Sequence, residues 1–111
     1  MSALRQSLVV AILSAWSVAA LAQTHEVPGE FWDRPRTANV IVSEESVKRA
    51  VAALLDKPEA QLVIHHAGGQ EPLVQAEELK SWLGALAIDT RRIALRGDLA
   101  AGSPLKIEVL P

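Results

Sequence analysis

Gln61-Leu62-Val63-Ile64-His65-His66-Ala67-Gly68-Gly69 decides the fold, because it reads as a buried strand running straight into a glycine loop. The apolar run Leu62-Val63-Ile64 is short, rich in β-branched residues, and bounded by Pro58 before it and Gly68-Gly69 after it, which favours strand over helix. In an α/β arrangement the carboxyl end of such a central strand is where a ligand is held.

On the C-terminal side, Pro72 suits the first residue of a helix, where its missing N–H costs nothing. Leu73, Ala76, Leu79, Leu83 and Leu86 form that helix's apolar stripe, with Trp82 beside it and Glu77, Glu78 and Lys80 facing out; the helix is expected to end near Ile88-Asp89. Arg92 to Arg96 and Leu105 to Val109 then alternate polar and apolar, as strands covered on one face do, and are expected to form a hairpin across Gly97 to Pro104. Their bare face would carry Arg92, Ala94, Arg96, Lys106 and Glu108.

On the N-terminal side, Asn39-Val40-Ile41-Val42 reads as a strand, with Ser43 as the N-cap of a helix that opens on Glu44 and Glu45, where the helix dipole favours negative charge. Val47, Ala50, Val51, Leu54 and Leu55 recur on one face of this helix and Pro58 ends it. The expected order is β-α-β-α-β-β over residues 38–111: an α/β two-layer sandwich of α+β type, with two helices on one face of a small mixed sheet. A helical crossover makes the second and third strands parallel if they are neighbours.

Residues 1–22 read as a signal peptide: Arg5, an uncharged and mostly apolar run from Ser7 to Val18, and Ala20-Leu21-Ala22 as the small-x-small cleavage site. The run is shorter than the ~20 apolar residues that cross a bilayer, so the released chain is not expected to be membrane-embedded. It has no cysteine and must be held by its core. Thirteen acidic residues, all after residue 22, face ten Lys and Arg once Arg5 is set aside, a formal charge of −3 that is not a nucleic-acid binder's balance. Residues 23–37, with Pro28, Gly29 and Pro35, read as an extended arm. Phe31 and Trp32 in that arm, beside Arg34 and Arg36, either cover an edge of the core or anchor a partner protein.

Adjacent strand residues point to opposite faces, so His65 and His66 cannot chelate one metal ion; one ring is expected near the helices and the other in solvent. Ala67-Gly68-Gly69-Gln70 offers backbone N–H groups near a helix start but lacks the Gly-x-x-x-x-Gly-Lys pattern of a phosphate loop. Arg96-Gly97-Asp98 is read as hairpin chemistry rather than an adhesion motif. With no cysteine, no serine in a nucleophile elbow and no opposed pair of acids, neither catalysis, a cofactor nor a metal is expected.

The element order and several residues resemble the OmpA-like family of periplasmic peptidoglycan-binding domains. That pattern runs from a strand into a Thr-Asp loop, then a helix beginning Leu-Ser-x-x-Arg-Ala that closes on Leu-x-x-x-Gly-Ile, then a strand with Arg-Ile. Leu62 to His66 stand for the strand, Ala76 for the helix alanine, Leu83 and Ile88 for the closing pair, and Arg92-Ile93 for the next strand. The resemblance implies a periplasmic address and a ligand at the loop after the second strand. Gly68 and Gln75 stand where the family's aspartate and arginine grip diaminopimelate, so binding there would fall to backbone amides of Gly68 and Gly69 with Gln70, Gln75 and His66. A paired carboxylate and guanidinium make charge-assisted bonds roughly twice as strong as neutral ones. The leading expectation is therefore a non-catalytic periplasmic binding or assembly domain that contacts an envelope protein either through the arm residues Phe31, Trp32, Arg34 and Arg36 or through the bare sheet face, and the alternative is weak peptidoglycan binding.

Overall fold

The computed structural model describes residues 22–111, and the signal peptide expected over residues 1–22 falls almost wholly outside them. The described chain runs β1 (Gln23–Glu26), a 3-10 turn (Gly29–Asp33), α1 (Ala38–Ser43), α2 (Glu45–Asp56), β2 (Gln61–Ala67), α3 (Gln70–Ala85), a second 3-10 turn (Thr90–Arg92), β3 (Ile93–Leu99) and β4 (Lys106–Leu110). The strands form one mixed sheet in the order β1-β4-β2-β3, an α+β fold with β2 inside it. β2 pairs parallel with β3, Leu62 opposite Ile93, as the crossover through α3 requires. On its other side it pairs antiparallel with β4, Ile64 opposite Ile107.

Several expectations are corrected, among them Ser43, which is the last residue of α1 while Glu44 takes the N-cap position of α2. Asn39 to Val42 are helical: Thr37 caps α1, its Oγ1 accepting from the Val40 N–H at 3.3 Å, and only Ile41 of the run is buried. A β-branched run is a weak, context-dependent preference, and here the cap at Thr37 prevails over it. The strand beside β4 comes instead from the segment read as an arm, Gln23 pairing with Val109 and Glu26 with Lys106. β3 and β4 are not a hairpin, because β2 lies between them.

One side of the sheet carries the core. Leu62, Ile64, Ile93, Ile107 and Val109 meet Val47, Ala50 and Leu54 of α2 and Ala76, Leu79 and Leu83 of α3, and Val27, Phe31, Ile41, Ala60, Ile88 and Leu105 join the same cluster. α3 stops at Ala85, three residues before the expected end. Its last carbonyls are closed by the Ala87 N–H on Gly84 O at 3.1 Å and the Ile88 N–H on Leu83 O at 3.0 Å. This is the Schellman pattern, and its left-handed residue is Ala87, at φ 74. The hydrophobic contact that goes with the motif joins Ile88 to Leu83, both buried.

Arg92 is not on the bare sheet face. It ends the turn before β3, and its guanidinium donates to the carbonyls of Leu54 at 2.9 Å, Lys57 at 2.8 Å and Ala60 at 3.0 and 3.1 Å. The Leu54 carbonyl is one that the end of α2 leaves without an intrahelical donor, whereas Lys57 is the C-cap and Ala60 lies in the turn beyond it. Among the described residues no helix is long and apolar enough to cross a membrane.

Candidate functional site

A cleft opens at the carboxyl end of β2, between the Gly29–Asp33 turn and the first turns of α3. It consists of two adjoining hollows of about 510 and 550 Å³ that share Gly29, Trp32, Glu71 and Gln75. Val27, Ala67, Pro72, Ser103, Pro104 and Leu105 line the first; Asp33, Arg36, Gln70, Val74 and Glu78 line the second. β2 delivers the chain to this point and α3 starts beside it. Gly69 makes the turn between them at φ 106, where a side chain would be strained.

The cleft brings together residues from both groups singled out in the sequence. Trp32 and Arg36 come from the N-terminal segment and Gln70 and Gln75 from the loop and α3. Phe31 is fully buried, T-stacked on Trp32 with ring centroids 4.9 Å apart, and so anchors the segment to the core rather than offering a surface to a partner. Arg34 is exposed and touches Glu44 at 4.0 Å, away from the cleft.

Arg36 fastens the segment down. Its Nε and Nη2 donate to the two Glu78 oxygens at 2.6 and 3.0 Å, while Nη1 donates to the Trp32 and Arg34 carbonyls at 2.9 and 3.0 Å. The guanidinium also lies over the Trp32 ring, 5.3 Å from its centre. The Arg36 hydrogen bond holds the Glu78 carboxyl below its ordinary pKa, and burial opposes this only in part.

Gly68, Gly69 and His66 are outside the cleft lining. His66 is turned into the core side of the sheet, where its Nδ1 donates to the Ala67 carbonyl at 2.8 Å. It lies against Gly97, whose position would set a Cβ 3.0 Å from the ring. Sequence reading missed Asp33 and Glu71 and left Glu78 as a wet-side residue. The signal was available on α3: Glu71, Gln75 and Glu78 fall at i, i+4 and i+7, one helical stripe beside the buried Ala76, Leu79 and Leu83.

On the opposite sheet face His65 lies between two carboxylates, Nδ1 against Asp98 at 2.8 and 3.0 Å and Nε2 against Glu108 at 3.0 Å. A register shift between His65 and Ala67 in the β2–β3 ladder sets Asp98 in reach. Acceptors on both ring nitrogens call for the doubly protonated ring. Burial disfavours that charge, but the hydrogen bonds and charges of Glu108 and Asp98 outweigh it and raise the His65 pKa. The two carboxylates meet different nitrogens, so they do not converge with the ring on one ion. Among the described residues no group of three or more His, Asp or Glu side chains is placed to hold a metal.

No family model, no curated protein and no solved structure matches the chain.

Proposed function

We propose that this chain is a non-catalytic binding or assembly domain of the bacterial periplasm, exported by its N-terminal signal, which contacts an envelope protein through the Trp32–Gln75 cleft. The observation that carries the reading is that Trp32 and Gln75, more than forty positions apart, share both hollows of the cleft at the end of the central strand. The sheet's other face is tied up in its own ion pairs around His65, which favours the cleft as the contact.

A second reading, weak binding of peptidoglycan in the manner of the OmpA-like family, is favoured by two positions. Gln75 lines the cleft where that family carries its arginine. Ala87 adopts a left-handed conformation where the family pattern carries glycine. The reduced OmpA-like fold is part of this proposal and rests on those positions.

Both readings are tested by placing a photo-crosslinking residue at Val74, which lines the cleft and is 48% exposed, in cells exporting the chain. The expected product is an adduct with one envelope protein that is lost in Trp32→Ala. An adduct with sacculi, strengthened in a Gly68→Asp, Gln75→Arg double variant, supports the second reading. Crosslinking indifferent to Trp32 overturns both.

A further inference from the structure

Arg36 sits in the cleft as a cation tethered by the chain itself. It is held between the face of the Trp32 ring, 5.3 Å away, and the Glu78 carboxylate, at 2.6 and 3.0 Å. An aromatic face and a carboxylate are the partners that an organic cation prefers once it leaves water. One wall of the cleft thus already binds a guanidinium, and the geometry of that contact is fixed by two further bonds to the Trp32 and Arg34 carbonyls.

The rest of the cleft extends the same chemistry without a cation of its own. Asp33 and Glu71 are among its lining residues. Among the described residues neither lies within ion-pair distance of a Lys, Arg or His. Glu78 neutralises Arg36, so the lining keeps two uncompensated negative charges. Beside them stand groups suited to an extended backbone and an aliphatic stem: the Gln70 and Gln75 amides, the Ser103 hydroxyl, and the apolar surfaces of Trp32, Pro72 and Val74. A ligand led by carboxylates finds no uncommitted cation among the lining residues.

We infer that the cleft takes an extended polypeptide segment bearing a lysine or arginine, with the cationic head held by Glu71 and Asp33 and its stem laid against Trp32. This rests on the proposed binding role of the cleft and names the chemistry of its partner. Long basic side chains bury their methylenes on apolar surface while the charge stays with polar partners, and the cleft offers both in sequence from Trp32 to Glu71.

The test is selection of a random heptapeptide display library on the purified chain, with Trp32→Ala, Glu71→Gln combined with Asp33→Asn, and Glu77→Gln in parallel. Glu77 is exposed on α3 and does not line the cleft, so it controls for bulk charge. The expected result is recovery of peptides with Lys or Arg fixed at one position. Their binding should fall at least tenfold in the Glu71→Gln, Asp33→Asn variant and at raised salt, vanish in Trp32→Ala and persist in Glu77→Gln. Peptides that need Trp32 but carry no basic residue overturn the inference and leave the cleft as a binding site. Peptides whose recovery ignores Trp32 overturn both.

Discussion

Ala87 holds φ 74, a conformation that costs an L-residue roughly 1–2 kcal/mol and glycine almost nothing. Its side chain is exposed, so removing the methyl gives up no packing. Ala87→Gly relieves the strain and returns ~0.4–1 kcal/mol of chain entropy to the unfolded state; the net expectation is a gain of about 1 kcal/mol. A urea midpoint that rises with an unchanged slope confirms it, and an unchanged midpoint refutes the strain argument. Arg92 makes the opposite case. It donates to three carbonyls at the end of α2 and beyond, Leu54, Lys57 and Ala60. Arg92→Ala is expected to lose about 2 kcal/mol, since hydrogen bonds from a charged donor contribute roughly 1.5–3 kcal/mol. Arg92→Lys should recover only part, because a single ammonium cannot replace the planar fork; full recovery, in the same urea experiment, would show that charge alone matters.

The Arg36–Glu78 pair joins the N-terminal segment to α3 and sets the position of Trp32 as the cleft wall. Both side chains are about 30% exposed, 28% and 32%, so solvent screening limits the pair despite its two-bond geometry. A double-mutant cycle with Arg36→Ala and Glu78→Ala is expected to give a coupling of about 0.5–1 kcal/mol that shrinks in high salt, and a coupling near zero would mean that the buried Val27 and Phe31 and the β1–β4 pairing hold the segment without the ion pair. β2, α2 and α3 were legible in the sequence because each concentrates its apolar residues at one period between clear breaks. β1 was not, since Gln23-Thr24-His25-Glu26 has no apolar pattern and becomes a strand only because the edge of β4 needs a backbone partner. α1 misread for the converse reason, a β-branched tetrapeptide whose cap at Thr37 prevailed over its propensity. Four of the cleft's residues were visible, Trp32 and Arg36 as an aromatic ring set among arginines and Gln70 and Gln75 through the glycine loop and the resemblance that points to it. Asp33 and Glu71 were not, because an acid beside a turn or in a first helical turn is ordinary until the fold sets the two around one space.

Across the whole sheet, Asp98, His65 and Glu108 tie β3, β2 and β4 together on the face that no helix covers. Arg96 and Lys106 stand opposite His65 in the two ladders and oppose its charge, so the raised His65 pKa reflects the closer carboxylates. The His65 hydrogen bond, ahead of the opposing effect of burial, lowers the Asp98 pKa in turn. A group whose folded pKa is raised contributes its stability in full below the unfolded value, ~6.5 for histidine, and loses it as pH climbs through the folded value. A carboxyl whose folded pKa is lowered contributes above its unfolded value, ~3.9 for aspartate, and loses it as pH falls through the folded one. The cross-strand tie is therefore strongest between about pH 4 and 6.5 and weakens on either side. Thermal unfolding followed by circular dichroism should show Tm declining from pH 6 to pH 9, and His65→Gln should flatten that decline while leaving the fold intact. Asp98→Asn, which keeps Glu108 as a partner, should shrink the decline without removing it. A His65→Gln protein with the same slope as the natural chain would mean that the three side chains meet without stabilising the sheet, and that the helical face alone holds the four strands.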